Sequence, residues 1–271
     1  MVRSLWTGAT GMIAQQTNLD TIANNLANVN TTGYKTQVNE FKNLLYQTIQ
    51  TETTSANGET KPGSAQVGLG VRNASIDTIF TQGSLLASEY DTSFAIDGKG
   101  FFAVTAEDGN TYYTRNGKFQ WSLSQNGVML CDSQGNPVHD TAGNSILLNG
   151  DYVTSRITVT ADGRICYPDD QNNPQPIGVQ IGLFQFSNPG GLKREGDSLY
   201  SQTAASGQPL NESTNNNLEK SKVIQGYLEG SNVNVADEMV NMITTQRAYE
   251  FNSKIITTSD TMLEEANNLR R

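Results

Sequence analysis

The fold is decided by residues 1–30, MVRSLWTGATGMIAQQTNLDTIANNLANVN, in which apolar side chains recur every seven positions. The repeating set is Leu5, Met12, Leu19 and Leu26, and the set three positions further along is Ile22 and Val29. A seven-residue apolar repeat is typical of a helix that packs along another helix. The stretch therefore predicts a long coiled-coil helix, which ends before Gly33 because glycine takes the left-handed conformation common just past a helix terminus.

A second face of this predicted helix carries amides and hydroxyls instead of charges. Its residues are Thr17, Asn18, Thr21, Asn24, Asn25 and Asn28. Asp20 is the one charged residue between Ser4 and Tyr34, whereas a solvent-facing helix usually carries pairs of opposite charges. This face favours close packing against copies of the chain or the lining of a lumen, and the alternative is an ordinary amphipathic helix.

The C-terminal segment repeats the seven-residue pattern. One apolar row is Val235, Met242, Tyr249, Ile256 and Leu263, and an adjacent row is Ala248, Ile255, Met262 and Leu269. Asn234 is a predicted N-cap, and the acidic residues that follow it suit the positive end of a helix. A second coiled-coil helix is expected here, and the two predicted helices share an assembly seam formed by the residues in heptad register.

The middle of the chain reads as strands separated by hairpin turns. The turn signals are Asp97-Gly98, Asp108-Gly109, Asn116-Gly117, Asn126-Gly127, Asn149-Gly150 and Asp162-Gly163. The β-prone runs between them are 101–105, 111–114, 118–123, 155–160 and 179–186. Such spacing predicts an all-β, hairpin-rich domain.

These patterns divide the chain into four parts and predict an α+β fold with helices flanking the β-rich domain. The parts are an N-terminal helix over 1–33, an extended arm over 34–74, the β-rich domain over 75–220, and a C-terminal helix with its lead-in over 221–271. The arm is rich in Thr, Ser and Gly, so alone it would be a flexible linker, and in an assembly it could order against neighbours.

Composition excludes several classes of function. The net charge is -9, with 18 basic against 27 acidic residues, and no basic stripe could follow a phosphate backbone, so nucleic acid is not expected as a partner. Charged residues make up 17% of the chain, which leaves an uncharged polar surface suited to facing other protein. No apolar run is long enough for a membrane span or for a cleaved secretory signal, and composition alone would place the protein in the cytoplasm.

Catalytic and cofactor chemistry finds little support in the sequence. His139 is the single histidine and is expected in a surface loop, so no metal site or nucleophile triad is predicted. No cofactor is expected. Cys131 and Cys166 are interpreted as small core residues, and a disulfide between them stays open. A β-domain enzyme, such as a wall hydrolase tethered by coiled-coil ends, is the competing reading, although it lacks a convincing catalytic constellation.

Three stretches in order resemble the bacterial flagellar rod and hook family. The first is ANNLAN at 23–28 with TGYK at 32–35, the second is QGSL at 82–85 with AIDGKGFF at 95–102 and YTRNG at 113–117, and the third is SNVNVADEMVNMI at 231–243 with QRAY at 246–249. The motif residues carried over are Asn24, Asn25, Asn28, Gly33, Tyr34, Lys35, Ser231, Asn232, Asn234, Gln246 and Arg247. The arm, with Tyr46, Gln47, Pro62, Gly63, Gly68 and Gly70, is similar to that of the distal rod type within this family.

The resemblance implies a structural protein, not an enzyme, in which paired terminal helices pack around a central export channel with the β-rich domain outside. It implies unfolded passage through the flagellar type III export apparatus without a cleaved signal, which replaces the cytoplasmic expectation with the periplasm-spanning rod of the basal body. Its implied partners are other copies, proximal rod proteins, hook protein, the P-ring and L-ring bushing and the rod cap. A hook or proximal rod component of the same family is the alternative.

Overall fold

The structure, a computed structural model, describes residues 2–50, 65–124, 127–149, 152–169, 171, 173–215 and 217–269. The chain forms two compact units. Unit 1 comprises Met1–Ala27, Gln37–Thr78 and Asn234–Arg271, and unit 2 comprises Asn28–Thr36 and Ile79–Val233. A helix near each end and a β-rich middle confirm the predicted order of helix, strands and helix.

Unit 1 contains the two helices, α1 at Val2–Ala27 and α2 at Val235–Asn268. They pack against each other in antiparallel orientation, since residues early in α1 contact residues late in α2. The side-chain oxygen of Asn234 accepts a hydrogen bond of 3.1 Å from the N–H of Ala236, which confirms the predicted N-cap. Beyond the turn that follows α1, Gly33 has a φ of 70°, the left-handed conformation expected of it.

The same unit contains a two-stranded ribbon made by the segment predicted as an arm. Its strands are β1 Gln37–Asn43, β2 Tyr46–Gln50, β3 Ala65–Gly68 and β4 Val71–Thr78. β1 pairs with β4 and β2 with β3, both antiparallel, so the arm pairs with itself. Pro62 and Gly63 lie outside the described residues.

Unit 2 contains the remaining strands. They are β5 Leu85–Ala87, β6 Phe94–Asp97, β7 Phe101–Thr105, β8 Thr111–Thr114, β9 Gln120–Ser124, β10 Gly127–Cys131, β11 Leu147–Leu148, β12 Thr158–Val159, β13 Arg164–Pro168, β14 Pro174–Gln180, β15 Leu183–Gln185, β16 Lys193–Gly196, β17 Leu199–Ser201, β18 Leu210–Asn211, β19 Lys222–Gln225 and β20 Tyr227–Glu229. The largest sheet has the order β16-β17-β8-β7-β15-β18, and smaller sheets are β11-β10-β9, β12-β13-β14, β19-β6 and β20-β5.

Strand β7 lies between two apolar clusters, because alternate residues of a strand point to opposite faces. Phe102 and Val104 belong to a cluster with Leu130, and Phe101 belongs to a second cluster with Tyr200. Both phenylalanines are fully buried. A central strand covered on both faces explains why its sequence is a continuous apolar run.

Two predicted hairpin turns that the structure describes in full are wrong, and a third, Asn149-Gly150, lies partly outside the described residues between β11 and β12, which also pair with other strands. Strand β6 pairs with β19 while β7 pairs with β8 and β15, so Asp97-Gly98 does not join two paired strands. Asn116-Gly117 likewise separates β8 from β9, which pair with other strands. Glycine stands at 117 for another reason: the N–H of Phe94 donates to the Gly117 carbonyl at 2.9 Å, and a Cβ at 117 would overlap the Phe94 carbonyl oxygen.

Two other predicted segments differ in extent. The run 155–160 forms a 3₁₀ turn at Thr154–Arg156 and only two strand residues, and the run 179–186 is divided between β14 and β15. The break falls at Gly182, which lies so close to the Asp140 carbonyl that a side chain would collide with it. Close backbone approach, a long-range feature, therefore interrupts a locally β-prone run.

His139 is buried, which corrects the expected surface loop. Its N–H donates to the Ala103 carbonyl at 2.9 Å, and its ring nitrogen Nε2 is hydrogen-bonded to the Thr105 hydroxyl. Burial lowers the pKa of the imidazole. Cys131 and Cys166 are both buried and both free thiols, so the interpretation as small core residues agrees with the structure and a disulfide between them does not.

Candidate assembly interface

Polar residues, spaced seven apart on each helix, face each other where α1 and α2 meet. We name this set the polar row: Ser4, Gly11, Asn18 and Asn25 on α1, opposite Ser259, Asn252, Thr245 and Glu238 on α2. The hydroxyls of Ser4 and Ser259 lie 3.0 Å apart, and the Asn18 amide donates to the Thr245 hydroxyl at 2.9 Å. A polar residue inside a helix seam fixes register, because a slipped pairing would leave its hydrogen-bonding atoms unpaired.

Asn25 lies at the end of the polar row where α1 ends and α2 begins, and it is 1% exposed. Its amide nitrogen donates to the Gln37 carbonyl at 2.8 Å and to Glu238 Oε1 at 3.4 Å, and its oxygen accepts from the Gln37 N–H at 2.9 Å. One side chain thus joins α1, β1 and α2. Asn18 and Asn25, two residues of the predicted polar face of α1, therefore make hydrogen bonds within the chain. Packing of this face against copies or a lumen stays a prediction.

Two glycines let the helices approach closely at the other end of the row. A Cβ at Gly11 would lie 2.8 Å from the Asn252 amide nitrogen, and one at Gly8 would lie 3.1 Å from Ile256 Cγ1. Close approach brings short side chains such as serine into hydrogen-bond range. The helix contact is therefore shaped by small and polar residues as much as by large apolar ones.

The residues of the predicted assembly seam lie beside the polar row. Ile22 is buried, and seven others are half-buried: Leu5, Met12, Leu19, Leu26, Met242, Ile256 and Leu263. Val235 and Tyr249 are 40% and 43% exposed. Their role as a seam stays a prediction.

Large apolar side chains remain exposed on both helices and just beyond the end of α2. They are Trp6, Ile13, Val235, Met239, Val240, Ile243, Tyr249, Phe251, Ile255, Met262 and Leu269. Three of them belong to the second apolar row of the C-terminal sequence. Exposed apolar surface of this extent marks a site of association with other protein or with a membrane.

Motif residues of unit 2 converge on a buried carboxylate, Glu229. Lys35 Nζ lies 2.6 Å from its Oε1, and Arg115 lies 3.2 Å from its Oε2. The N–H of Gly83 donates to the same carboxylate at 2.9 Å, and the Gly33 N–H donates to the Glu229 carbonyl at 2.8 Å. We name this set the Glu229 centre. It joins four stretches that are far apart in sequence.

The electrostatics of the Glu229 centre are those of a fully buried ion network. The side chains of Lys35 and Glu229 are completely buried, and that of Arg115 is 2% exposed. Burial lowers the pKa of Lys35, and the neighbouring Glu229 carboxylate opposes that shift. Two cations face one carboxylate, Lys35 Nζ also donates to the Thr81 carbonyl, and Arg115 Nη2 donates to the Gly98 carbonyl. The Arg115 Nε–H makes no hydrogen bond within the described residues. Removing the carboxylate would leave both charges buried without a counterion.

Asn232 ties together three segments beside this centre. Its side-chain oxygen accepts from the N–H and hydroxyl of Thr36, at 2.7 and 2.8 Å, and its nitrogen donates to the carbonyl oxygens of Ile79 and Thr81. Thr36 in turn accepts from the Ile79 N–H at 2.9 Å. The predicted motif residues Gly33, Lys35 and Asn232 thus share one neighbourhood, and the residue that sequence reasoning missed is Glu229 itself. Its signal was the lone acid in the GYLEGSN stretch, 226–232.

The other predicted residues are dispersed. Exposed positions are Asn24, Asn234, Gln246, Arg247, Tyr46 and Gln47, and intermediate ones are Asn28, Tyr34, Ser231, Gly68 and Gly70. Arg247 pairs with Glu250 at 2.8 Å on the surface of α2. Gly70 has a φ of 111° and lies against Thr10 of α1, so this arm residue has a packing reason to be glycine.

Metal-binding clusters and membrane-spanning helices are both absent from the part of the chain that the structure describes. No group of three or more His, Cys, Asp and Glu side chains in that part could hold a metal ion. Neither described helix combines the length and hydropathy needed to cross a bilayer.

A helix pair in fixed register with exposed apolar rows, joined to a β unit with its own core, defines a subunit of a protein assembly. The sequence matches three family descriptions: "Flagella basal body rod protein" at residues 5–35, "Flagellar hook protein FlgE/F/G D1 domain" at 95–167 and "Flagellar basal body rod FlgEFG protein C-terminal" at 224–269.

Relatives match over the whole chain. The flagellar basal-body rod proteins FlgG of Borreliella burgdorferi and of Buchnera aphidicola subsp. Acyrthosiphon pisum are each 44% identical, covering 100% and 99% of this chain and 100% of their own. A flagellar hook-basal body complex protein, FlhP of Bacillus subtilis, is 33% identical over the full length of both chains. The chain belongs to the FlgG family of flagellar basal-body rod proteins.

Proposed function

We propose that the chain is a structural subunit that assembles helically with its own copies into the distal rod of the bacterial flagellar basal body. The observation that carries the proposal is the exposed apolar surface of the paired helices in unit 1, exemplified by Ile255 and Met262 at 46% and 55% exposure. An isolated subunit leaves that surface in water, whereas packing against copies would bury it. Full-length similarity to rod proteins supports the same reading.

The function is mechanical. Heterologous contacts between identical subunits generate an open-ended helical tube, which would transmit torque to the hook and enclose the export channel. We infer that α1 and α2 pack as a coiled coil, supported by the seven-residue spacing of the polar row and of the flanking apolar residues. A register fixed by hydrogen bonds would make each subunit a stiff element, as a driveshaft requires.

Position and partners follow from the same proposal. The subunit would lie in the periplasm-spanning rod, between proximal rod proteins and hook protein, inside the P-ring and L-ring bushing and under the rod cap during growth. It would reach that place through the flagellar type III export apparatus with its N-terminus uncleaved. N-terminal sequencing of the protein from isolated basal bodies tests the export route, and a shortened mature chain would contradict it.

A hook or proximal rod component is the second candidate, because two of the matched family descriptions cover FlgE, FlgF and FlgG together. The segment 47–70 is the proposed determinant of rod position. Gold labelling of isolated basal bodies separates the candidates: label on the distal rod supports the proposal, and label on the hook or the proximal rod contradicts it.

The amide face of α1 has a proposed second use at its exposed edge. Asn24 and Asn28 would line a water-filled channel. Because their amides are neutral, they would not create a strong electric field that retains a passing chain. The double variant Asn24→Ala and Asn28→Ala is expected to reduce assembly or export, and normal motility would contradict this role. Asp20→Asn, on the same helix, tests whether any polar change has that effect.

Assembly itself is tested with the purified full-length chain. Filaments in electron micrographs above a critical concentration are expected, and a strain that lacks the protein should stop building its flagellum before the hook. A monomer at all concentrations, together with normal flagella in that strain, would overturn the proposal. Reproducible cleavage of peptidoglycan by the purified chain would instead favour the wall hydrolase.

A further inference from the structure

Unit 1 contains a cavity of about 240 Å³ where α1, β1 and α2 meet. Asn39 and Glu238 line it, and so do the apolar side chains of Val38 and Phe41. The latter two are 42% and 39% exposed, so the cavity opens at a surface with apolar side chains. The cavity therefore borders a part of the surface where another molecule can pack.

Two side chains of the lining are buried without a full set of partners. Asn39 is 7% exposed and Glu238 is 8% exposed. Within the described residues, three side-chain atoms of this pair make no hydrogen bond. They are Asn39 Nδ2, Asn39 Oδ1 and Glu238 Oε2. Unpaired buried polar atoms destabilise a fold. Their presence in a native structure therefore needs an explanation outside the isolated fold. The unused acceptors here are the Asn39 amide oxygen and the Glu238 Oε2 oxygen, which together suit a cationic donor, whereas the Asn39 amide nitrogen is itself a donor.

Exposed cations of the same unit supply the complementary charge. Arg3, Lys42, Arg72 and Lys254 make no ion pair with any residue that the structure describes. Lys42 and Arg72 are also direct cross-strand partners in the β1–β4 ladder. Like charges placed opposite each other destabilise a strand pair, and an acidic group from outside would relieve that repulsion.

We propose that this cavity receives a basic side chain from a second copy of the chain, which donates hydrogen bonds to Glu238 Oε2 and to the Asn39 side-chain oxygen. The inference rests on the proposed function, because it requires copies to associate. A donor on a different patch of the subunit would make the contact heterologous, so that it continues from copy to copy. The buried charge pair would select the correct neighbour and register, while the exposed apolar rows supply most of the buried area.

The first test compares critical concentrations for filament formation by purified full-length variants. Glu238→Gln keeps the shape and the acceptor for Asn25 but removes the negative charge, and Asn39→Ala removes the amide. Each is expected to raise the critical concentration roughly tenfold or more, equivalent to about 1.4 kcal/mol, because each removes a hydrogen bond to a charged group. The matched control, Glu265→Gln at an exposed site on α2, should change it less than about twofold. Unchanged helical circular dichroism verifies folding.

The second test identifies the donor. Arg3, Lys42, Arg72 and Lys254 are each changed to Glu, alone and combined with Glu238→Lys in the same chain. One single reversal should impair assembly as strongly as Glu238→Gln, and its combination with Glu238→Lys should restore it. Wild-type critical concentrations for both Glu238→Gln and Asn39→Ala would overturn the inference and leave the cavity to water, with the proposed function intact. A wild-type chain that forms no filaments would count against the proposed function instead.

Discussion

The two units of the molecule place their apolar and polar residues in opposite ways. Unit 2 buries Phe101, Phe102 and Ile96 completely, whereas the helices of unit 1 leave Phe251 65% exposed and bury Asn25. An apolar core stabilises a fold without outside help. We expect a helix pair that buries amides and exposes phenylalanine to gain its remaining stability from a partner. The contrast therefore predicts that unit 2 folds on its own and that unit 1 completes its packing in an assembly.

The contrast also distinguishes two uses of buried polar groups. In unit 2 the Glu229 centre joins distant stretches through charges with side-chain exposure of 2% or less. In unit 1 the polar row joins two helices through neutral groups at three of its four levels. A buried ion network is costly to break, while neutral pairs specify register at lower cost. We therefore expect disruption of the first to affect the fold more than disruption of the second.

Removing a helix should have the largest effect on unit 1 and should leave unit 2 folded. Deletion of residues 235–271 takes away one side of the polar row and most of the exposed apolar rows, so filament formation should be abolished. Unit 2 keeps its edge-to-face aromatic cluster, in which Phe80, Phe101 and Tyr200 have ring centroids 5.3–6.3 Å apart. Its near-ultraviolet circular dichroism should persist. Loss of that signal would show that unit 2 depends on unit 1.

Replacing Glu229 should have the largest effect of any single change to a buried polar group. Glu229→Ala leaves Lys35 and Arg115 buried without a counterion, which is expected to lower the free energy of unfolding of unit 2 by about 3–5 kcal/mol. Urea unfolding followed by tyrosine and phenylalanine signals measures this. The control is Glu219→Ala, whose side chain is 84% exposed in its pair with Lys99 and should contribute less than about 1 kcal/mol. Equal effects from the two variants would refute the special role of the Glu229 centre.

A smaller effect is expected from the polar row. Asn25→Ala leaves the N–H and the carbonyl of Gln37 without their partner, at a cost of about 1–3 kcal/mol to the helix unit. Loss of helical circular dichroism with temperature reports on it. Gln16→Ala, at an exposed position of α1, should be neutral or slightly stabilising. A neutral Asn25→Ala would mean that water or a neighbouring group replaces the amide.

How far the sequence predicts these units differs between them. Periodicity predicts both helices, because Leu5, Met12 and their repeats report a local property of the chain. The Glu229 centre could not be predicted in the same way, since Glu229 meets Lys35 and Arg115 across separations of more than a hundred residues. Only the resemblance to a family placed its neighbours together as motifs.

The failures of prediction have the same origin. Gly117 and Gly182 appear as turn or strand residues by local rules, yet each is glycine because another backbone approaches it. His139 looks like a loop residue from its flanking Pro137 and Asp140, but long-range pairing with Ala103 buries it. Asn18 and Asn25 of the polar row belong to the polar face predicted for the first helix, whereas Ser4 and Gly11 do not. Their partners on α2 depend on an antiparallel register that the sequence does not state.

The smallest effect on folding should come from an exposed apolar residue of α2, and it sharpens the comparison most. Phe251→Ala removes a side chain that is 65% exposed, so the free energy of unfolding should change by less than about 0.5 kcal/mol. Phe101→Ala, the same substitution in the core of unit 2, should cost about 3–5 kcal/mol.

Assembly should respond in the opposite sense, because the role of Phe251 lies outside the isolated subunit. Its replacement should raise the critical concentration for filament formation several-fold at unchanged thermal stability, as light scattering during polymerisation would measure. Glu264→Ala at an exposed site on the same helix removes a charged side chain but no aromatic ring, and it separates loss of apolar area from loss of charge. If Phe251→Ala polymerised like the wild-type chain while lowering monomer stability, the exposed apolar residues of unit 1 would belong to its fold and not to its assembly.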